Sequence, residues 1–268
     1  MLHLRTIILA AAVACAGALP SIAAAQEFAA VVSPPRLEIR AQPGERIRQV
    51  VEITNVGAQP AKYHLRTADW TLAPDGGVTF AEELADDSCR SWVAIERHEI
   101  DVPGGGRYRY RFEVQPPAAA PVGECRFALM IEGEPQAVRT ESGLTVPVSG
   151  RIGVIVYVAV GPAAADLQVV ETSVADAAGG FLPVVTVRNV GNAHGRLDGF
   201  LSGTDAAGRR LDFTPSSLPI LPGETRTLPL SASDGSRAVT DIAYPVQVAG
   251  VIEWGDGRRI EFNQPFSQ

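Results

Sequence analysis

Apolar and polar residues alternate along this chain in short runs, which Gly or Pro interrupts about every ten residues. Alternation of period two is typical of half-buried β-strands, and no sustained helical spacing of apolar residues follows Gln26. The pattern predicts seven strands in each half of the chain, at 31–39, 46–55, 61–70, 92–100, 107–115, 124–132 and 144–160, and at 167–174, 182–189, 195–204, 210–214, 225–232, 241–254 and 258–266. This rhythm is typical of all-β sandwiches, and seven strands fit one immunoglobulin-like domain.

The longest β-branched run covers residues 144–160. Its even-numbered residues from Ile152 to Val160 are all Ile or Val, and the odd-numbered ones are also mostly apolar. Both faces of such a strand need apolar neighbours. Pro147 and Gly150 interrupt the run, and Arg151 places a charge inside it. We expect the strand either to lie in the middle of a sandwich or to leave part of its length for a partner.

A repeat divides the chain into two units. An apolar alternation that ends in Asn-Val-Gly occurs at 51–57 and again at 185–191, and an apolar-Pro-Gly turn follows each copy, at 102–104 and 221–223. We interpret the Asn and Gly as turn residues that tolerate positive φ. The sequence therefore predicts two immunoglobulin-like β-sandwich domains in tandem, 26–160 and 167–268, joined by a linker at 161–166. The first copy is about fifteen residues longer, and the acidic segment 73–90 accounts for the difference.

The first 25 residues have the features of a cleaved secretory signal: Arg5, an apolar stretch, and an Ala-x-Ala site before Gln26. An alternative is a lipidation motif at Cys15, although Ala occupies the position where Leu is usual. Cleavage leaves Cys89 and Cys125, and an exported chain favours their pairing, worth about 3 to 4 kcal/mol on the chain-entropy model. Two unpaired buried thiols are the other possibility.

Charge and composition exclude several functions. The formal net charge is −7, and loss of Arg5 makes it more negative, so no basic patch indicates nucleic-acid binding. We expect no integral membrane segment after the signal. The three histidines of the mature chain are far apart in sequence, and no Gly-x-Ser-x-Gly motif is present. We therefore expect neither an enzyme, nor a metal site, nor a cofactor.

Two arginines are candidates for binding an anion. Arg36 lies in the first predicted strand, and Arg151 lies in the seventh. Because the first and last strands of an immunoglobulin-like domain are close in space, both guanidinium groups could hold one carboxylate. The simpler interpretation is that each is a surface arginine at the rim of a sheet.

Five motifs, in this order and spacing, resemble the periplasmic pilus-assembly chaperones of the PapD type: Ser-Pro-Pro-Arg-Leu-Glu-Ile at 33–39, Pro-Gly-Glu at 43–45, Ile-Thr-Asn-Val-Gly at 53–57, Asp-Trp at 69–70 and Arg-Ile-Gly-Val at 151–154. The resemblance covers the whole mature chain. It implies a soluble periplasmic protein that lends a strand to a pilus subunit, with an outer-membrane usher as a further partner.

The resemblance also implies roles for individual residues. Leu144, Val146 and Val148 would be the alternating side chains of the donated strand, and Arg36 matches the arginine that grips the subunit's C-terminal carboxylate. The family's cleft lysine falls near Gly153, so Arg151 is the candidate for that second charge. The usual Tyr-Arg-Pro reads Tyr-Val-Ala at 157–159, so we do not expect the family's interdomain salt bridge. The alternative function is an exported structural or adhesive scaffold in which the long strand is buried.

Overall fold

A computed structural model describes residues 28–86, 88–140, 143–177, 179–255 and 257–268. The predicted signal, with Arg5 and Cys15, lies outside the described residues. The fold is all-β and consists of two immunoglobulin-like β-sandwich domains in tandem, as expected from the alternation of apolar and polar residues.

The N-terminal domain contains twelve of the described strands: β1 (Ala30–Ser33), β2 (Arg36–Ala41), β3 (Ile47–Asn55), β4 (Ala61–Leu72), β5 (Val78–Ala81), β6 (Val93–Ile95), β7 (Glu99–Val102), β8 (Arg107–Val114), β9 (Gly123–Gly133), β10 (Gln136–Arg139), β11 (Thr145–Val148) and β12 (Arg151–Val160). One layer has the order β1-β3-β8-β6, and the other has β2-β12-β9-β4-β5 with β7 also on β4. Strands β10 and β11 form a separate two-stranded hairpin.

Three predicted strands of this domain are divided in the structure. Pro34 and Pro35 separate β1 from β2, and these strands join opposite layers. The segment 92–100 contains β6 and β7, and a 3₁₀ turn at Arg90–Trp92 precedes it. The run 144–160 breaks at Ser149 and Gly150 into β11 and β12. Pro lacks an amide donor and Gly lacks a packing side chain, which explains why long apolar runs end at these residues.

Strand β12 is buried on both faces. Its residues Val154, Val156 and Val158 are fully buried in the sandwich core. On the other face, Tyr157 and Ile155 pack in a second cluster with Trp70 of β4, Phe80 of β5 and Leu221 of the C-terminal domain. The two-sided apolar pattern of this strand is therefore satisfied by a core and by a contact between domains.

The acidic segment 73–90 is not simply a solvated loop, because it contributes β5 to the sheet. Cys89 at its end forms a disulfide with Cys125 of β9, with Cα atoms 6.1 Å apart. The neighbouring Arg90 bonds Asp69 and the backbone carbonyl of Thr67. The disulfide and Arg90 fix the insertion to the sandwich.

The C-terminal domain contains the remaining described strands: β13 (Leu167–Ala177), β14 (Gly180–Asn189), β15 (Asp198–Thr204), β16 (Arg210–Pro215), β17 (Thr225–Ser233), β18 (Ala238–Val239), β19 (Val246–Trp254) and β20 (Arg258–Phe266). Its strand order is β13-β14-β17-β16-β15-β19-β20, with β18 on β17. The first half of β17 pairs with β14 and its second half with β16, so this strand joins the two layers. A single apolar cluster fills the space between them.

Two details of the C-terminal domain differ from the sequence-based expectation. The predicted strand 241–254 begins only at Val246, so Pro245 precedes β19 instead of interrupting it. The glycines of the two Asn-Val-Gly turns, Gly57 and Gly191, do not have positive φ. The physical reason for this motif is a hydrogen-bonding role of its asparagines.

Asn55 and Asn189 are buried and hold equivalent turns together. Asn55 donates to the carbonyls of Gln59 and Val102 and accepts from the amide of Gly57. Asn189 likewise donates to the carbonyls of Ala193 and Ile220 and accepts from the amide of Gly191. A buried amide side chain that satisfies three backbone groups is costly to replace. The sequence repeat therefore corresponds to a repeated structural device.

Candidate functional site

The hairpin of β10 and β11 extends beyond the sandwich. All four residues of β11 are exposed, and Leu144, Val146 and Val148 are 66%, 38% and 50% exposed. The three side chains share one face of the extended chain, because alternate residues of a strand point the same way. The structure thus places the three predicted donor residues together on an exposed apolar face.

The ladder between β10 and β11 determines which backbone groups point outwards. Thr140 donates its amide to the carbonyl of Leu144 at 2.8 Å, and bonded pairs alternate in an antiparallel ladder. The backbone groups of Val146 and Val148 therefore face β10, and those of Thr145 and Pro147 face the outer edge. Among the described strands, none pairs with this edge. Since Pro147 has no amide hydrogen, the edge offers two carbonyls but only one donor over these two residues.

A glycine joint separates the hairpin from the sandwich. Arg151 lies opposite Glu132 in the main ladder, whereas Val148 lies opposite Gln136 in the hairpin, so one strand has an extra residue at the joint. The amide of Gly133 bonds the carbonyl of Gly150 at 3.1 Å. A Cβ at Gly150 would lie 2.2 Å from the ring of Phe28, so only glycine allows this ring to cover the joint.

Strand β2 brings Arg36 to the boundary between the domains. It runs parallel to β12 and places Arg36 opposite Ile155. The Arg36 side chain is about half exposed, and its Nε is 3.0 Å from Oε1 of Glu38. The same glutamate oxygen is 3.6 Å from Nε2 of His194, which belongs to the C-terminal domain. Arg36 thus lies at an interdomain cleft.

Arg151 belongs to a different group of charges. It lies four residues before the position opposite Arg36, a separation of about 13 Å along a strand. Its nearest ladder partner, Glu132, accepts a 2.7 Å hydrogen bond from Arg66. Arg66 also pairs with Glu82, and the pKa of the Glu82 carboxyl is lowered mainly by Arg66, with a smaller contribution from Arg151. The structure therefore does not bring Arg36 and Arg151 together.

The cleft has a volume of about 450 Å³ and is lined by both domains. His194 forms its centre: the backbone amide and Nδ1 of this residue both contact Oε2 of Glu124, at 3.1 and 2.5 Å. The imidazole also stacks on the ring of Tyr157, with centroids 3.7 Å apart. This arrangement links the domains at the place where the sequence departs from the family's salt bridge.

Arg196 completes the cleft from the C-terminal domain. Its guanidinium donates to the carbonyl of Ser217 at 2.8 Å and to the hydroxyl of Tyr157 at 3.3 Å. Burial lowers the pKa of the Arg196 guanidinium and raises the pKa of the Tyr157 hydroxyl, because each charged form loses hydration. Sequence reasoning did not find His194 or Arg196, since both follow the Asn-Val-Gly turn in a segment with no apolar alternation.

A further interdomain contact lies at Arg226, which is buried. Its NH1 donates to the carbonyls of Ala73 and Pro74, each at 2.9 Å. The start of the acidic insertion is thereby attached to the C-terminal domain. Two charged side chains, His194 and Arg226, therefore join the domains at separate points.

Other kinds of site were examined over the part of the chain that the structure describes. No group of three or more His, Cys, Asp or Glu side chains there is arranged to hold a metal ion. Within the same residues, no helix is long and apolar enough to cross a membrane.

No protein-family model matches the sequence, and no curated protein matches it. Solved structures do resemble the fold. The YadV chaperone is 12% identical with a TM-score of 0.49, over 89% of this chain and 100% of the other. The E. coli chaperone DraB is 14% identical with a TM-score of 0.46, over 88% and 99%. The Pseudomonas aeruginosa CupB2 chaperone is 13% identical with a TM-score of 0.46, over 88% and 100%. In overall structure this chain is similar to chaperones of fimbrial and pilus assembly, the class that its sequence motifs resemble.

Proposed function

We propose that this protein is a periplasmic chaperone-like protein that binds pilus or similar β-rich subunits by strand addition. One observation carries the proposal: β11 lies outside the sandwich and exposes three alternating apolar side chains, Leu144, Val146 and Val148. Strand addition needs this combination, because main-chain bonds supply affinity and alternate side chains fill pockets of the partner. No nucleotide or metal takes part in the proposed mechanism.

The proposal includes a charged contact that fixes the register of the bound subunit. Arg36 at the interdomain cleft would hold the C-terminal carboxylate of the subunit through charge-assisted hydrogen bonds. The second cation proposed from the sequence is Arg151, which lies about 13 Å away along the strand direction. An outer-membrane usher would be a later partner, which takes over the bound subunit.

Co-expression with a pilus-type subunit that lacks its last strand tests the proposal. Val146→Asp places a charge on the proposed donor face without touching the core, so we expect it to abolish co-purification of the subunit. Arg36→Ala should also reduce recovery strongly. Arg237→Ala is the matched control, because Arg237 is an exposed arginine of the C-terminal domain. Unchanged recovery with Val146→Asp would favour the exported scaffold, in which the hairpin has no partner.

A further inference from the structure

Arg196 has bonding capacity that its neighbours leave unused. A guanidinium carries five N–H donors, and among the described residues its hydrogen bonds go to Ser217 and the Tyr157 hydroxyl alone. Its Nε is buried without a hydrogen-bond partner. The guanidinium carbon also lies 5.8 Å from the centre of the Tyr157 ring, which holds the group against the wall of the cleft. Arg196 is therefore positioned by protein contacts but not neutralised by them.

A chain of contacts connects Arg196 to Arg36. Arg36 pairs with Glu38, Glu38 approaches His194, and His194 stacks on Tyr157, whose hydroxyl accepts from Arg196. Arg36 is close enough to act electrostatically on Arg196, and the interaction between these like charges is unfavourable. One arginine from each domain thus faces the same cleft.

The other charges of the cleft leave it an excess of positive charge. Glu124 is buried and contacts His194, and Glu38 contacts both Arg36 and His194. Arg258 pairs with Asp166 at 3.3 Å, and Arg40 also lines the cleft. An anion is the class of ligand that would relieve the repulsion between Arg36 and Arg196, and two planar guanidinium groups suit a carboxylate.

We propose that Arg196, and not Arg151, is the second cation that holds the C-terminal carboxylate of a bound subunit together with Arg36. This inference rests on the proposed function and assigns its charged contact to two domains instead of one. Because the two arginines come from different domains, the carboxylate site depends on the relative position of the domains, which His194 and Arg226 fix.

Peptide titration of the ¹⁵N-labelled mature protein tests this assignment. The probes are an N-acetylated peptide of alternating Val and Thr with a free C-terminal carboxylate, and the same peptide with a C-terminal amide. The side-chain Nε–H signals of Arg36 and Arg196 should shift with the carboxylate form and much less with the amide. The Arg151 signal should respond equally little to both.

Variants convert the assignment into affinities. Arg196→Gln should weaken binding of the carboxylate peptide about tenfold, the effect of one charge-assisted hydrogen bond, and leave the amide peptide unchanged. Arg151→Gln is the matched control and should change neither affinity. Arg196→Lys, which keeps the charge, should recover part of the loss, and thermal unfolding of each variant checks that Tyr157 and Ser217 tolerate the change.

Two results would overturn the assignment: loss of discrimination in Arg151→Gln with none in Arg196→Gln, or an equal effect of Arg196→Gln on both peptides. Failure of the proposed function gives a different result. If wild-type protein prefers the carboxylate peptide but captures no subunit, strand addition is wrong and the arginine pair stands. If the subunit is captured but both peptides bind equally, the arginine pair is wrong and strand addition stands.

Discussion

Strands β11 and β12 come from one continuous apolar run, but the structure gives them opposite environments. Val154 and Val156 of β12 are completely buried, whereas Val146 and Val148 of β11 are 38% and 50% exposed. The even-numbered residues of both segments belong to the same alternation in the sequence. The difference between them therefore does not come from the side chains themselves.

The difference comes from the neighbouring strands. Strand β12 has β9 on one side and β2 on the other. Strand β11 has only β10 beside it within the described part of the chain, and the extra residue at the glycine joint shifts its register relative to the main ladder. An apolar strand with one neighbour and no opposing layer can bury its side chains only by recruiting another chain.

The largest expected effect comes from placing the same charge in both strands. Val156→Asp would bury a carboxylate among apolar core residues, and we expect it to destabilise the N-terminal domain by about 4 kcal/mol or more. Val146→Asp should change stability by less than about 0.5 kcal/mol, because the side chain stays in water. Urea unfolding followed by the fluorescence of Trp70 and Trp92 measures both.

This pair of variants can break the comparison in either direction. A large loss of stability in Val146→Asp would show that the hairpin packs on the protein in solution. Tolerance of Val156→Asp would show that β12 is not the core strand that its burial indicates.

A smaller effect is expected at the joint between the two strands. Gly150→Ala would place a Cβ 2.2 Å from the Phe28 ring, and overpacking of this kind costs about 1 to 3 kcal/mol. In the Phe28→Ala background the same change should cost much less, because the obstructing ring is gone. A double-mutant cycle from urea unfolding gives the coupling. Equal costs in both backgrounds would show that Phe28 does not cover the joint.

Much of the fold follows from the sequence, because local rules determine it. Alternation located nearly all of the strands, and the bounds of β20 match the predicted segment 258–266. The run 144–160 shows the limit: alternation predicts extended chain on both sides of Gly150 but not which part has neighbours on both sides. Strands β5 and β10 were missed because they are short and become strands only by pairing with β4 and β11.

The candidate site was less predictable than the fold. Arg36 was found because its motif resembles a known family, and the structure places it beside the interdomain cleft. Arg151 was chosen because it interrupts an apolar run, but that signal gives no information on direction or register. Arg196 and His194 come from the other domain, and only the packing of the two sandwiches brings them to Tyr157. Contacts between domains of this kind leave no periodic signal in a sequence.

The smallest expected effect concerns the outer edge of β11. If the ladder has the polarity inferred from Thr140 and Leu144, Pro147→Val adds an amide to the open edge and breaks no bond to β10. We expect a change in stability within about 0.5 kcal/mol, but stronger self-association, because an edge without proline is a better template for another strand. Sedimentation velocity over a range of concentrations measures the association. Val146→Pro is the matched variant, and it should open the hairpin by removing an inward bond. Amide exchange checks the same polarity: Val146 should exchange more slowly than Thr145, and equal rates would mean that β11 exposes both of its edges.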